Sequence, residues 1–307
     1  MLAVVASSRS PSRFEIREVP APSPASDEAV VAVKAFSLNR GEVRRLSSAP
    51  DGFRPGWDVA GVVDRSAADG SGPKQGARVV GLTNGGWGEQ AAVPTRTLAE
   101  IPHGLSFSLA STLPVAALTA LHTLRHGGLL LGKRVLVTGA AGGVGRFAIQ
   151  LASRAGAHVT AVVGRPERGA GLTELGAHDV VTRLEPTGAP FDLALESAGG
   201  ASLGAAIERT APGGTVVSFG NSSGETTTFN ASTLYPKGGA RLYGFILFWE
   251  LAHAGTGSAD LTFLASAVAE RRLVSTLDLE LGWRDAAKAM AALMERRVAG
   301  KAVLRIE

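Results

Sequence analysis

Short runs of alternating apolar and polar or small residues fill the first hundred positions. Leu2–Ala6, Phe14–Val19, Ala29–Phe36, Asp58–Asp64, Ala77–Leu82 and Glu89–Val93 each have the length and β-branched content of a strand. Pro20, Pro22 and Pro24 mark a loop, and Asp69-Gly-Ser-Gly-Pro73 marks a turn. Many short strands with such turns predict a barrel-like β domain. The pattern changes near residue 106, where Ser106-Phe-Ser-Leu-Ala110 opens a helical stretch that runs past Pro114 to Thr123. From Arg134 the chain alternates between the two periods. Strands are predicted at Val135–Thr138, His158–Val163, Asp179–Val181, Phe191–Glu196, Gly214–Gly220 and Arg241–Phe245. Helices are predicted at Val144–Ala155, Leu172–Leu175 and Ala201–Thr210. Repeated βα units of this kind predict a doubly wound parallel sheet. The tail returns to a different texture, with helices at Leu261–Arg271 and Arg284–Arg296 and strands at Asp278–Leu281 and Lys301–Ile306.

The expected architecture is therefore α/β, with residues 1–112 and 251–307 forming one domain around an inserted βα domain, 113–250. A chain of 307 residues is long enough for two domains of the usual ~100–150 residues. Hydrophobic residues make up 45% and charged residues 19%, so there is ample apolar side chain to bury and disorder is excluded for most of the chain. Thirty-nine glycines, nearly twice the usual share of about 7%, show no triplet period and fall at turns.

Cysteine is absent, which removes disulfides, thiolate zinc sites, iron–sulfur clusters and a cysteine nucleophile. That fits a reducing compartment, and a cytoplasmic setting is the expectation. The charge balance is 31 basic against 27 acidic residues, +4, and the densest basic spots are pairs such as Arg44-Arg45. This predicts a solvated surface rather than a nucleic-acid groove. Residues 1–10 lack the charged start and the long apolar run of a signal peptide. Ile101–Leu124 carries no charged side chain, but Pro102, Pro114 and several Ser, Thr and His residues make it a buried helix rather than a membrane span.

The strongest chemical motif is Val135-Leu-Val-Thr-Gly-Ala-Ala-Gly-Gly-Val-Gly145. A buried strand meets a glycine-rich turn and then a helix, whose free N-terminal amides and dipole favour a pyrophosphate. Ala140 stands at the first glycine position of the strict fingerprint, so the flanking strand and helix carry the assignment. Ala141, Gly142, Gly143, Val144 and Gly145 are the expected cofactor loop. An NAD-binding chain usually carries an acid about 20 residues downstream, to bond the ribose 2′-hydroxyl. Here Gly164 and Arg165 stand at that distance, and Arg168 follows. Guanidinium groups there would bind a 2′-phosphate, with Glu167 pointing away or pairing, so NADPH is the expected cofactor. The competing reading is a pair of ordinary loop arginines.

Five short segments together resemble zinc-independent quinone oxidoreductases (zeta-crystallin-like) of the medium-chain dehydrogenase/reductase superfamily. They are Ser37-Leu-Asn-Arg-Gly-Glu42, Arg54-Pro-Gly-Trp-Asp-Val-Ala-Gly-Val-Val63, Ala140-Ala-Gly-Gly-Val-Gly145, Phe191-Asp-Leu-Ala-Leu-Glu-Ser-Ala-Gly199 and Gly300-Lys-Ala-Val-Leu304. The resemblance implies a GroES-like β-barrel domain built from both chain ends, a Rossmann domain between them, and a homodimer. An apolar strand near Arg241–Phe245 would supply the paired edge. In zinc-dependent members of the same superfamily, a cysteine stands where this chain has Asn39. Their Gly-His-Glu motif matches Gly56-Trp57-Asp58, and their third ligand falls near Val115. The four-cysteine segment of their structural zinc is missing. The resemblance therefore implies hydride delivery without metal to a small-molecule acceptor that is already electron-poor, such as a quinone or a conjugated enal or enone. Reduction of an enoyl-thioester double bond, or NADPH binding without catalysis, are the alternatives.

The resemblance also nominates site residues. Asn39 would lie at the nicotinamide–substrate junction, unless it is a turn-capping residue. Thr119 would meet the cofactor, unless it is a buried helical threonine. Phe219, Gly220 and Asn221 follow a sheet strand at the ligand-collecting edge. Arg183 stands where many relatives have a tyrosine near the adenosine phosphate. Lys301 matches a lysine near the cofactor, with a surface lysine as the competing reading. Trp57, Phe245, Phe248 and Trp249 are candidate walls of a flat apolar pocket, with core packing as the alternative for each. Arg40, Arg44 and Arg45 could serve a charged substrate. The tyrosine that many relatives carry between positions 42 and 56 is absent, with Arg44 or Leu46 nearby, so that proton donor is not available.

Overall fold

The computed structural model describes residues 1–185 and 187–307. The chain divides into two compact units, Met1–Leu118 with His253–Glu307, and Thr119–Ala252.

In the first unit the strands are β1 (Leu2–Ala6), β2 (Phe14–Glu18), β3 (Glu28–Leu38), β4 (Asp58–Arg65), β5 (Arg78–Leu82), β6 (Gln90–Pro94) and β7 (Leu98–Glu100). The helices are α1 (Arg40–Ser48), α2 (Phe107–Ser111) and α3 (Pro114–Arg125), which runs on into the second unit. In the second unit come β8 (Arg134–Thr138), α4 (Gly143–Arg154), β9 (His158–Val162), β10 (Asp179–Val181), β11 (Phe191–Glu196), α5 (Gly200–Glu208), β12 (Thr210–Ser218), β13 (Arg241–Gly244) and α6 (Leu247–Ala254). The chain then returns to the first unit with α7 (Gly257–Ala269), β14 (Leu277–Gly282), α8 (Ala286–Met294) and β15 (Lys301–Arg305).

The first unit is built around β3. This 11-residue strand is long enough to pair with β4, β6 and β15, all antiparallel, in a sheet ordered β14-β15-β3-β4-β5-β7. Its Val-rich inner face packs with Val59, Val79, Val93 and Leu304, and Trp87 stacks on Phe36 at 5.7 Å between ring centroids. Two registers bring charged residues together. Ser37 lies opposite Asp58, and Ala302 lies opposite Leu38, so the last strand of the chain brings Lys301 beside the end of β3.

The second unit holds six parallel strands in the order β10-β9-β8-β11-β12-β13. In order along the chain this is 3-2-1-4-5-6, the dinucleotide-binding arrangement, whose reversal between β8 and β11 opens a crevice at the strands' carboxyl ends. The first turn after β8 lies there.

Several sequence expectations need correction. The first hundred residues are not all strand and loop. Asn39 caps α1, and Glu42 reaches back to accept from the Asn39 amide at 3.0 Å, a capping-box contact that the strand pattern conceals. β7, three residues long, is too short for its alternation to predict it. The single helical run from 106 to 123 is two helices, because Pro114 has no amide to continue the first and instead starts the second. No helix forms at Leu172–Leu175. Four residues between Gly171, at φ +74°, and Gly176, at φ +108°, are too few to nucleate one, and the helical turn is a 3₁₀ segment at Pro166–Gly169. Thr210 belongs to β12, not to the end of α5. α6 forms where the sequence pattern predicts no element. No helix among the described residues is long and apolar enough to cross a membrane.

The glycine turn shows how closely packing dictates sequence. Gly139 turns the chain at φ +59°, and a Cβ on Gly145 would lie 2.6 Å from both Cα and O of Ala140. The helix can approach the strand only if position 145 has no side chain. Gly145→Ala is expected to lower stability by about 1–3 kcal/mol through overpacking against backbone. It should also weaken dinucleotide binding, read by thermal unfolding and by cofactor titration.

Candidate functional site

Asp58 opens β4 and is fully buried. Its Oδ2 accepts from Ser37 Oγ at 2.5 Å, Asn39 Nδ2 at 2.8 Å and Lys301 Nζ at 2.9 Å, and its Oδ1 accepts from the Val115 amide at 2.7 Å. Lys301 is 3% exposed. Its ammonium donates to Asp58, to Asn39 Oδ1 at 2.6 Å and to the Leu38 carbonyl at 3.1 Å, which uses all three of its protons. The surface reading of Lys301 is therefore overturned, because β15 carries it into the interior beside β3.

Asn39 joins this pair to a second carboxyl. Its Nδ2 donates to Asp58 and also to Glu42 Oε2 at 2.7 Å. Both amide protons are spent inside the cluster, and Oδ1 faces the ammonium. Asn39 is thus both the cap of α1 and the link between Glu42, Asp58 and Lys301. Glu42 is 2% exposed, and its Oε1 accepts from the Trp57 amide at 2.5 Å. Burial, reinforced by the Asp58 charge, pushes the Glu42 carboxyl up to about 8, against the opposing pull of Asn39, Lys301 and the Trp57 amide. At neutral pH the cluster is an ammonium–carboxylate pair with a mostly neutral carboxyl beside it.

A cavity of about 270 Å³ lies next to Glu42, lined also by Arg45, Phe53, Arg54, Trp57 and Asn84. Trp57 lies against α1, where a Cβ on Gly41 would meet its ring at 3.3 Å. Arg40, nominated from the sequence for a charged substrate, is not among the residues that line this cavity. Its guanidinium donates to the Leu293 and Met294 carbonyls at 2.8 and 3.2 Å, satisfying the C-terminal end of α8. Sequence reasoning passes over Phe53 and Asn84, which lie in loops without a motif, and gives no role to Arg54, which it meets only as the start of the Arg54–Val63 segment.

In the second unit, Ala141, Gly142, Gly143, Val144 and Gly145 form the turn and first helical residues after β8. Gly142 offers no capping side chain to the first amides of α4. Gly164 and Arg165 follow β9, and Arg168 sits in the next 3₁₀ turn. Arg165 Nε lies 3.3 Å from Glu167 Oε1, so Glu167 does pair. Arg183 is exposed and bonds Glu185 at 3.0 Å. Phe219, Gly220 and Asn221 follow β12. Asn221 Oδ1 accepts from Ser223 Oγ and the Gly224 amide, shaping that loop. Thr119 is buried on α3. Phe245 is buried and meets His126 edge-on at 6.3 Å, while Phe248 is half-buried and Trp249 is 53% exposed on α6. Glu196, given no role from the sequence, is fully buried at the end of β11. It accepts from Thr138 Oγ1 at 3.1 Å and from the Ala198 and Gly199 amides, which ties the β8 and β11 ends to the start of α5.

The comparisons with known proteins agree with this architecture. The family model for an alcohol dehydrogenase GroES-like domain matches residues 25–103, and the model for a zinc-binding dehydrogenase matches residues 143–253. A chloroplastic quinone oxidoreductase, QR1, from Triphysaria versicolor is 36% identical over 64% of this chain and 63% of its own length. Prostaglandin reductase-3 from Bos taurus is 33% identical over 69% of this chain and 60% of its own. The matched region thus spans under two thirds of these relatives. The crystal structure of a Pseudomonas syringae quinone oxidoreductase superposes with a TM-score of 0.84 at 26% identity, covering 99% of each chain. A GroES-like domain joined in one chain to a Rossmann-like parallel sheet is the domain pair of the dehydrogenases that both family models describe. This chain belongs to the medium-chain dehydrogenase/reductase superfamily, and quinone oxidoreductases are among the proteins it resembles.

The zinc in that family's name does not suit these residues. Amide, indole and valine at 39, 57 and 115 offer no thiolate or imidazole, and among the described residues no three His, Cys, Asp or Glu side chains converge. The Lys301 ammonium already neutralises Asp58. A dinucleotide does suit the turn after β8, where the first amides of α4 meet no capping side chain.

The raised Glu42 pKa has a consequence for stability. The folded protein holds a proton on Glu42 that the unfolded chain releases near pH 4.5. Its contribution is therefore complete below that pH and is lost as pH rises toward about 8. Urea unfolding between pH 5 and 9 should show stability falling by a few kcal/mol, at no more than about 1.4 kcal/mol for each pH unit and levelling off above about pH 8. Glu42→Gln should flatten that slope.

Proposed function

We propose that the chain is an NADPH-dependent oxidoreductase that delivers hydride to quinones or similar conjugated carbonyl acceptors without a metal. The observation that carries this reading is the Asn39–Asp58–Lys301 cluster, in which an ion pair holds an amide at the position that the resemblance gives to a cysteine ligand in zinc-dependent relatives. Without a Lewis acid to lower an alcohol's pKa, an already electron-poor acceptor is the suitable partner. When bound, the nicotinamide supplies the hydride. The residues of this chain bind and orient. The amides at the start of α4 hold the pyrophosphate. Arg165 and Arg168 take the 2′-phosphate, in a loop where no acid stands at the ribose position. Lys301 and Asp58 hold Asn39 in one orientation, and Trp57 lines the adjoining cavity. A second reading, reduction of an enal or enoyl-thioester double bond, is favoured by the likeness to a prostaglandin reductase.

A spectrophotometric screen of NADPH oxidation tests these readings together. Turnover with quinones is expected; turnover with enals or enoyl thioesters alone would favour the second reading. NADPH binding with no turnover on any acceptor would overturn both. For the cofactor, Arg168→Ala should weaken NADPH by about tenfold, the worth of one charged hydrogen bond. NADH binding should change much less, as followed by fluorescence quenching at fixed salt. An unmodified protein that binds NADH as tightly as NADPH would contradict the assignment.

A homodimer is part of the proposal. Among the described residues β13 ends the sheet with an unpaired outer edge, and Leu242 on it is 54% exposed, an edge that pairing with a second copy would cover. Sedimentation at micromolar concentration should give a dimer, and Leu242→Lys should give a folded monomer.

A further inference from the structure

The cavity beside Glu42 carries positive charge that nothing in the fold requires. Arg54 is half-buried. Its Nε is buried and has no hydrogen-bond partner, and its Nη2 makes only a long contact, 3.4 Å, to the Gly85 carbonyl. Burial lowers its pKa, so this site strains the charge rather than stabilising it. Arg45 lies over the face of Phe53 at 4.8 Å, held by a cation–π contact at the exposed rim. Neither guanidinium forms an ion pair among the described residues. The one carboxyl in the wall, Glu42, has both oxygens committed to Asn39 and the Trp57 amide and carries its proton through much of the neutral range. It therefore does not neutralise them. Even a half-buried guanidinium gives up hydration that a ligand's counter-charge would offset.

We propose that this cavity receives a carboxylate on a small, flat, unsaturated substrate, with Arg54 and Arg45 as its two cationic contacts and Phe53 and Trp57 as its apolar walls. The inference rests on the oxidoreductase reading and narrows it to acceptors bearing an anionic end. The volume supports a small group. About 270 Å³ lies just below the usual range of ~300–1,000 Å³ for whole-ligand pockets. It accommodates a ring or short conjugated chain with its carboxylate, not a large thioester carrier. Guanidinium forks match the planar, two-oxygen geometry of a carboxylate. Asn84 adds an amide to the same wall.

The test is calorimetric titration of the full chain, without cofactor, with trans-cinnamate and with its neutral isostere cinnamamide. The expected result is that the acid binds at least tenfold more tightly than the amide. Arg54→Met should erase that preference and Arg45→Met should reduce it, with thermal unfolding confirming that each variant is folded. Should Arg54→Met fail to fold, Arg45→Met and the salt dependence of cinnamate binding decide the matter. Equal affinity for acid and amide, or a preference unchanged in the folded variants, would overturn the proposal. The titration needs neither NADPH nor turnover. Absence of quinone reduction would leave it standing, and loss of acid selectivity would leave hydride transfer to neutral quinones standing.

Discussion

The buried pair of Lys301 and Asp58 is the constraint on which the first unit's chemistry depends. Neither charge could be buried alone, since removing an ion from water costs several kcal/mol that only a close partner with further hydrogen bonds offsets. The partnership is made by strand pairing. Antiparallel pairing of β15 with β3 places residue 301 beside residue 39, and pairing of β3 with β4 places Asp58 opposite Ser37. The first amide of α3 with a proton to give, that of Val115, closes the shell. Two distant stretches of chain and the start of a helix thus converge on one carboxylate.

Other properties of the site follow from that pair. Asn39 is held by its amide between Asp58, Lys301 and Glu42, so its orientation is fixed by charge rather than by side-chain packing. Glu42 is buried in a place too dry for a negative charge, with Asp58 beside it, and its carboxyl is pushed up to about 8. Trp57 is positioned because its amide donates to Glu42. The second unit contributes by different physics: a close-packed glycine turn, a helix start with no capping side chain, and Glu196 fastening the neighbouring loops.

Much of the fold is legible in the sequence because local patterns determine it. Alternation locates β1, β4 and β11 to within a residue or so, and the strand–glycine–helix sequence locates the turn after β8. Errors gather where the deciding contacts are non-local or the segment is short. α1 is nine residues with a weakly apolar face, and its capping contact decides it. Arg40 reads as a candidate for a charged pocket, yet the carbonyls it bonds belong to residues 253 and 254 positions away. Lys301 looks as exposable as any lysine, because its partners are more than 240 residues distant. Asn39 stands out in the sequence, but its dependence on Lys301 is invisible without the register of β15. Arg54 opens a family-like segment but receives no role from it, since a guanidinium without an ion pair is a property of surroundings, not of sequence.

A double-mutant cycle on Lys301 and Asp58, followed by urea unfolding at pH 7, tests the central claim most directly. Lys301→Met should destabilise the protein by about 3–5 kcal/mol, because it leaves Asp58 charged and buried. Combining it with Asp58→Asn should lose clearly less than the sum of the two single changes, by about 1–3 kcal/mol. Single losses below about 1 kcal/mol that add within about 0.5 kcal/mol would show that the two groups do not depend on each other, and would contradict the account.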